Sequence, residues 1–179
     1  MAKNQMPADI PVFLCTGFLE AGKTKFIQGT LEDKRFNSGE KTLVLLCEEG
    51  EEELEISAMP YKNIYIRTID SPEEITPDNM DALLRECGAE RVLVEYNGMW
   101  QVSKFEEMQL PKDWGIVQHI VTVDASTFQV YMNNMKSLFV EMVRNADMVL
   151  FNRCQMDMPL ASFRRSVKVV NQSAEIIFE

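Results

Sequence analysis

The feature that most constrains this chain is a glycine-framed motif near its amino terminus. Residues 17–24 read G-F-L-E-A-G-K-T, which fits the pattern G-x-x-x-x-G-K-T, between a strand-like apolar run and a helix-like segment. In that setting glycines let successive N–H groups face one anion, and the positive end of the helix adds to the attraction. The motif predicts a phosphate-binding loop. Its expected phosphate contacts are Gly17, Glu20, Ala21, Gly22, Lys23 and Thr24.

Three residues have predicted chemical roles around this loop. Lys23 reaches the terminal phosphates and neutralises charge on a transferred phosphoryl group, and the Thr24 hydroxyl ligates Mg²⁺. Glu95 closes a later apolar strand, where its carboxylate would face Mg²⁺ or a bound water. Gly98 follows three residues later and would let its loop approach a terminal phosphate. For Glu95, a solvated acid at a strand end is the alternative.

A second candidate element covers residues 152–155, which read N-R-C-Q after a predicted strand. It compares with the guanine-reading pattern N-K-x-D: Asn152 fits, and Arg153 supplies the aliphatic stem and positive charge of lysine. Gln155 departs from the pattern, because an amide offers one acceptor oxygen where a carboxylate offers two and a charge. We therefore expect weakened or altered base selectivity. An ordinary polar turn is the alternative.

Strand-like and helix-like segments alternate along the chain. Strands are predicted at residues 42–47, 63–69, 91–95, 116–124, 147–152 and 175–178, and helices at 22–33, 77–87, 128–145 and 159–170. This order predicts a single α/β nucleotide-binding domain over residues 1–179, with a mostly parallel sheet and helices on both faces, as in P-loop nucleoside triphosphatases. Ligands bind such sheets at the carboxyl ends of the strands, where the phosphate loop, Glu95 and Asn152 all fall.

The composition of the chain limits the classes of partner that we expect it to bind. With 179 residues, 46% of them apolar, the chain has enough material for one domain with a sizeable core. A net charge of -10 disfavours nucleic acid, which needs a basic face. No apolar run is long enough for a membrane span, and no apolar leader is seen. The four scattered cysteines are typical of the reducing cytoplasm. We expect a cytoplasmic protein whose partners are small molecules or proteins.

With these elements in place, the chain resembles the CobW-like branch of P-loop GTPases, metal chaperones related to the hydrogenase and urease nickel-insertion GTPases. The motifs that carry the resemblance are T-G-F-L-E-A-G-K-T at 16–24, C-E-E-G-E at 47–51, E-Y-N-G at 95–98, V-T-V-D-A at 121–125 and N-R-C-Q at 152–155. The resemblance implies binding of GTP and GDP, slow Mg²⁺-dependent hydrolysis, and nucleotide-linked metal delivery or contact with a client protein. A nucleotide-dependent homodimer is a further expected partnership.

The chain also departs from the family pattern. Residues 61–68 hold no cysteine where the family's C-x-C-C metal motif is expected, so thiolate ligation of Zn²⁺ there is not supported. Glu20 replaces a loop glycine and puts a carboxylate near the triphosphate, and Lys25 replaces a second threonine that contacts the α-phosphate. The sequence stops at a strand, before the family's last guanine-loop residues and C-terminal domain. We expect either an excised domain or an incomplete base pocket.

Residues 48–55 hold six glutamates. As a switch-like loop after a strand, this run would place Glu48 and Glu51 to bind Mg²⁺ or a delivered metal through hard oxygens; as a solvated face it would only raise solubility. His119, the only histidine, is expected to be a core or edge residue rather than a ligand. Two functions stay open: a slow Mg²⁺-dependent GTPase, or a degenerate phosphate-loop module that binds or regulates, with little hydrolysis and relaxed base specificity.

Overall fold

Seven parallel strands form the framework of the protein. The computed structural model describes residues 9–47, 54 and 62–179. Within them the strands are β1 (Ile10–Thr16), β2 (Thr42–Leu46), β3 (Ile64–Thr68), β4 (Arg91–Glu95), β5 (Trp114–Asp124), β6 (Met148–Asn152) and β7 (Glu175–Phe178). They make one sheet in the order β3-β2-β4-β1-β5-β6-β7, with every neighbouring pair parallel. The predicted α/β class is confirmed.

Helices connect these strands. They are α1 (Lys23–Glu32), α2 (Pro77–Cys87), α3 (Val102–Glu107), α4 (Phe128–Asn134), α5 (Lys136–Arg144) and α6 (Leu160–Val170), with a short 3₁₀ helix at Pro72–Glu74. Helix α2 has clear local signals: the Thr76 hydroxyl accepts a hydrogen bond from the backbone N–H of Asn79, Pro77 opens the helix, and Gly88 ends it at φ 60°.

Several elements differ from the sequence prediction by one residue at an end, and larger differences concern the segment 128–145, helix α3 and the start of strand β5. The helix expected at 128–145 is two helices, α4 and α5, because the backbone of Met135 leaves the helical region at φ -134°. Helix α3 was not predicted, since six residues are too few to show a 3.6-residue period. Strand β5 begins two residues before the predicted position 116, because Trp114 already pairs with Ile10 on β1.

The two faces of the sheet carry different helices. Leu14 of β1 packs with residues of α2 and α3, whereas its neighbour Cys15 packs with residues of α1, because successive strand residues point to opposite faces. The partner of Thr16 across the ladder is Val121, which therefore shares the face of Leu14 and packs with residues of α4, α5 and α6. Helices thus cover both faces, with α1 on one and α2 to α6 on the other.

The carboxyl ends of four central strands meet at one edge of this sheet. Thr16, Glu95, Asp124 and Asn152 are the last residues of β1, β4, β5 and β6, and the ladder pairs Asp124 directly with Asn152. The loops that follow these strands are therefore neighbours in space. None of the helices formed by residues 9–47 and 62–179 has the length and apolar character needed to cross a membrane.

Candidate nucleotide-binding site

The phosphate loop runs from the end of β1 to the start of α1 and depends on two glycines. Gly17 has φ 147° and Gly22 has φ 85°, values that side chains with a Cβ rarely adopt. Neighbouring atoms also leave no space for a side chain. A Cβ on Gly17 would lie 2.4 Å from the carbonyl oxygen of Thr122, and a Cβ on Gly22 would lie 2.6 Å from Nδ2 of Asn152. Conformation and packing together explain both glycines of the motif.

Lys23 lies folded within this loop. Its side chain is buried, and Nζ donates hydrogen bonds to the carbonyl oxygens of Gly17 at 3.0 Å and Phe18 at 2.9 Å. The ammonium group is therefore held at the amino terminus of α1, a helix of ten residues. The positive end of a helix and a fixed ammonium group both favour an anion at the same place. Contact of Lys23 with a terminal phosphate stays a prediction, because in this structure its ammonium group contacts carbonyl oxygens of its own loop.

Thr24 and Glu95 form the adjacent polar pair. The Thr24 hydroxyl donates a hydrogen bond of 2.8 Å to Oε1 of Glu95, whose side chain is buried at the end of β4. The chain thus brings together the two residues predicted to serve Mg²⁺. One hydroxyl and one carboxylate fit this cation, which binds hard oxygens and usually keeps water and phosphate as its other ligands. Within the described residues, no group of three or more His, Cys, Asp or Glu side chains is arranged to hold a metal.

Gly98 lies directly against the phosphate loop. A Cβ at this position would be 2.3 Å from the carbonyl oxygen of Gly17 and 2.8 Å from Cα of Phe18. The backbone of Tyr96, two residues earlier, donates a hydrogen bond of 2.9 Å to the carbonyl oxygen of Cys15. The loop after β4 therefore packs on the phosphate loop, and only glycine permits this close approach. The predicted approach of Gly98 to a terminal phosphate stays a prediction.

Asn152 and Arg153 fasten the second candidate element to the phosphate loop. Asn152 Nδ2 donates a hydrogen bond of 2.7 Å to the carbonyl oxygen of Ala21, and the Arg153 guanidinium donates one of 3.0 Å to that of Glu20. Arg153 also adopts φ 55°, an unusual value for a residue with a side chain. These contacts place Asn152 and Arg153 against the phosphate loop, and their predicted role in reading guanine stays a prediction.

Asp124, in the V-T-V-D-A motif, lies beside these residues but has no role among the predicted site residues. Its carboxylate pairs with the Arg153 guanidinium and accepts hydrogen bonds from the backbone and hydroxyl of Ser126. Burial raises the pKa of Asp124, but the hydrogen bonds from Ser126 and Arg153 lower it by more, and the pKa lies below its ordinary value. Asp124 is therefore a charged anchor for Arg153.

Five other predicted residues have fewer contacts or lie outside the described part. Glu20 is exposed and adopts φ 57°. Lys25 is exposed on the first turn of α1, and Gln155 is exposed after β6. Glu51, predicted as a metal ligand, lies outside the described residues, as does Glu48. The roles predicted for these five residues stay predictions.

Sequence and structure comparisons relate this chain to known nucleotide-binding proteins. A family model described as CobW/HypB/UreG, nucleotide-binding domain, matches residues 11–178. A search of curated proteins gave no match. The Zn(II)-bound YjiA GTPase from E. coli superposes with a TM-score of 0.68 at 22% identity, over 96% of this chain and 57% of that chain.

Two further structures share the architecture. The hydrogenase maturation factor HypB from Archaeoglobus fulgidus gives a TM-score of 0.61 at 17% identity, over 93% of this chain and 81% of that chain. The 54 kDa signal recognition particle protein from Aeropyrum pernix K1, in complex with GDP, gives 0.56 at 19% identity, over 98% of this chain and 43% of that chain. At such identities these likenesses show the fold. The chain spans little more than half the length of YjiA.

Proposed function

This chain belongs to the CobW/HypB/UreG family of nucleotide-binding domains, and we propose that it binds GTP and hydrolyses it slowly with Mg²⁺. The observation that carries the proposal is the Thr24–Glu95 hydrogen bond of 2.8 Å, next to the buried ammonium group of Lys23. A hydroxyl, a carboxylate and a cation are then grouped at the amino terminus of one helix. Phosphoryl transfer needs positioning and charge stabilisation above all, and these groups provide both.

Each residue has one role in this proposal. Backbone N–H groups of residues 17–23 hold the phosphates, and the Lys23 ammonium group neutralises charge on the terminal phosphoryl. Thr24 would hold Mg²⁺, and Glu95 would orient the cation or its water. The bound Mg²⁺ supplies positive charge that stabilises the phosphate oxygens. Gly98 keeps its loop close enough to meet the terminal phosphate.

Recognition of the base is the less constrained part of the proposal. The contacts of Asn152 and Arg153 to the phosphate loop support a guanine-reading role for this element. Gln155 replaces the carboxylate that accepts two hydrogen bonds from guanine. The second candidate function, a degenerate phosphate-loop module with little hydrolysis and relaxed base specificity, is favoured by this replacement and by the carboxylate of Glu20.

The proposal also covers the domain organisation, the location and the wider role of the protein. We assign residues 1–179 to one nucleotide-binding domain in the cytoplasm. The structural neighbours include a Zn(II)-bound GTPase and a hydrogenase maturation factor. These neighbours support a role in delivering a metal to a client protein or in its maturation. Formation of a nucleotide-dependent homodimer is part of the same proposal.

Phosphate release from Mg·GTP tests the catalytic part. We expect slow turnover by the wild type, and Lys23→Ala should lower the rate at saturating GTP about 100-fold or more, the usual effect of removing a charge-stabilising donor. Lys34→Ala is the matched control, since Lys34 is an exposed lysine beyond the far end of α1. Its rate should equal that of the wild type.

The same assay with ATP separates the two candidate functions. A GTP rate well above the ATP rate supports the GTPase. Nucleotide binding without phosphate release from either nucleotide, with similar affinities for the two, would contradict the GTPase and support the degenerate module.

A further inference from the structure

His119 connects the phosphate loop to α3. Its side chain on β5 is buried, with Nε2 at 2.9 Å from the Thr16 hydroxyl and Nδ1 at 3.1 Å from Oε1 of Glu106. Thr16 immediately precedes Gly17, the first residue of the phosphate motif. Glu106 lies in the last turn of α3. One imidazole ring therefore contacts both the start of the nucleotide loop and a helix that follows β4.

Two hydrogen bonds with Asp147 hold the backbone of His119 in place. The N–H of His119 donates a hydrogen bond of 2.8 Å to the Asp147 carboxylate, and the N–H of Asp147 donates one of 2.9 Å to the His119 carbonyl oxygen. The ring is thus anchored to the sheet, and displacement of either contact partner must change its contacts. Energetic coupling between sites is carried by packed side chains and hydrogen-bond networks of this kind, and a measured coupling energy is what demonstrates it.

Of the two contacts of the His119 ring, with Thr16 and with Glu106, the one with Glu106 is the easier to change. Nδ1 of His119 is buried and lies close to Glu106, but the pair does not have hydrogen-bond geometry. The other carboxylate oxygen of Glu106 accepts a hydrogen bond of 2.7 Å from Asn145. A cavity of about 470 Å³ lies beside them, lined by Glu106, His119, Asn145 and Asp147 among others. Glu106 thus has room to move relative to the ring.

Helix α3 also reaches the site by a second route. The loop from Glu95 through Gly98 to Val102 precedes this helix, and Gly98 packs on the phosphate loop. Helix α3 is therefore tied to the phosphate loop before its first turn by Gly98 and near its last turn by His119. Any displacement of the Gly98 loop by a bound phosphate would act on α3 and, through Glu106, on the ring.

We propose that His119 is a positioning residue that couples the placement of α3 to nucleotide binding through its contacts with Thr16 and Glu106. This inference rests on the proposed function, because it concerns how the phosphate loop responds to its nucleotide. His119 takes no part in the chemistry. Its effect reaches the phosphates through Thr16 and the backbone of Gly17.

A double-mutant cycle on GDP affinity tests the coupling. Thr16→Val removes the hydroxyl and keeps the shape, and Glu106→Gln removes the charge and keeps an acceptor for Asn145. Each change alone should weaken Mg·GDP binding about 3–10-fold, and the double variant should be no weaker than the worse single variant, since residues in one network are not additive. In a protein that already carries His119→Gln, adding Glu106→Gln should cause no further loss of GDP affinity.

Because His119 is the only histidine, the ring resonances in a ¹⁵N NMR spectrum identify it without ambiguity. Mg·GDP should shift them in the wild type, and Thr16→Val should abolish most of that shift. Purely additive effects on GDP affinity, with unchanged ring resonances on GDP addition, would overturn the coupling and leave His119 a packing residue.

Failure of the proposed function gives a different result, namely no GDP binding by the wild type. In that case the coupling is judged in the free protein. Thr16→Val should then speed amide hydrogen exchange in α3, although Thr16 lies on β1, and unchanged exchange in α3 would overturn the link.

Discussion

Glu20 combines an unusual backbone with an unfavourable charge. Its φ of 57° costs a residue with a Cβ about 1 kcal/mol, and its carboxylate lies in the loop proposed to hold phosphates. Glu20→Gly should therefore raise the free energy of unfolding by up to about 1 kcal/mol and tighten Mg·GDP binding about 3–10-fold, the effect of removing one like charge near the ligand. Chemical denaturation and calorimetry measure the two quantities.

Glu20→Gln separates the two causes, because glutamine keeps the Cβ and loses the charge. It should tighten GDP binding as much as Glu20→Gly does, without the gain in stability. GDP affinity unchanged in both variants would contradict the view that this carboxylate faces the phosphates.

Asp124 should give the protein a pH-dependent stability. Its pKa is lower in the folded protein than its ordinary value, so its stabilising effect is complete above about pH 4 and is lost as the pH falls through the folded-state pKa. At pH 7, Asp124→Asn should lower the free energy of unfolding by about 1 kcal/mol, a modest value because Arg153 is half exposed. Urea denaturation at pH 7 and below pH 3 measures this difference.

The matched control is Asp157→Asn, which removes a charge from an exposed residue. It should change the free energy of unfolding by less than about 0.5 kcal/mol at both pH values. A difference for Asp124→Asn that stays the same size in acid would rule out the ionised carboxylate as the source of the stabilisation.

At the scale of elements, the contact between the β4–α3 loop and the phosphate loop is the most sensitive feature. Gly98→Ala would place a Cβ 2.3 Å from the Gly17 carbonyl oxygen, so the two loops must separate. We expect a folded protein whose Mg·GDP affinity is at least about 10-fold weaker, a loss of about 1.4 kcal/mol in binding free energy. Circular dichroism checks the fold, and calorimetry measures the affinity.

Gly29→Ala is the control within α1. No atom lies within 4 Å of a Cβ placed there, so alanine should raise the free energy of unfolding by about 0.5–1 kcal/mol and leave GDP affinity unchanged. If Gly98→Ala bound GDP as tightly as Gly29→Ala does, the close packing of the two loops would have no bearing on the site.

The elements also show which parts of the structure were predictable. Helix α2 and strands β4 and β7 have the predicted bounds because caps, turn residues and short apolar runs mark their ends. Helix α3 and the break at Met135 have no such signals, since tertiary packing decides them. The tie between Arg153 and Asp124 was missed because it joins two strand ends 29 positions apart along the chain.

For the whole molecule, the order of strands and helices predicted the fold class and the edge where the site lies. The sequence did not predict that Lys23 would fold back on the carbonyl oxygens of its own loop, or that His119 would join that loop to α3. Both depend on three-dimensional packing between segments, which one-dimensional periodicity does not encode. The candidate site could be proposed from the sequence because phosphate binding needs particular residue types at fixed spacing.

We propose that the phosphate loop, with Thr24 and Glu95, binds a nucleotide together with Mg²⁺. Calorimetric titration of GTP into the protein, with Mg²⁺ and with excess EDTA, tests it most directly. We expect one site in the wild type, weaker binding in EDTA, and at least about 100-fold weaker binding in Lys23→Ala beside an unaffected Lys34→Ala. Absence of binding by the wild type, or equal affinity in Lys23→Ala, would contradict it.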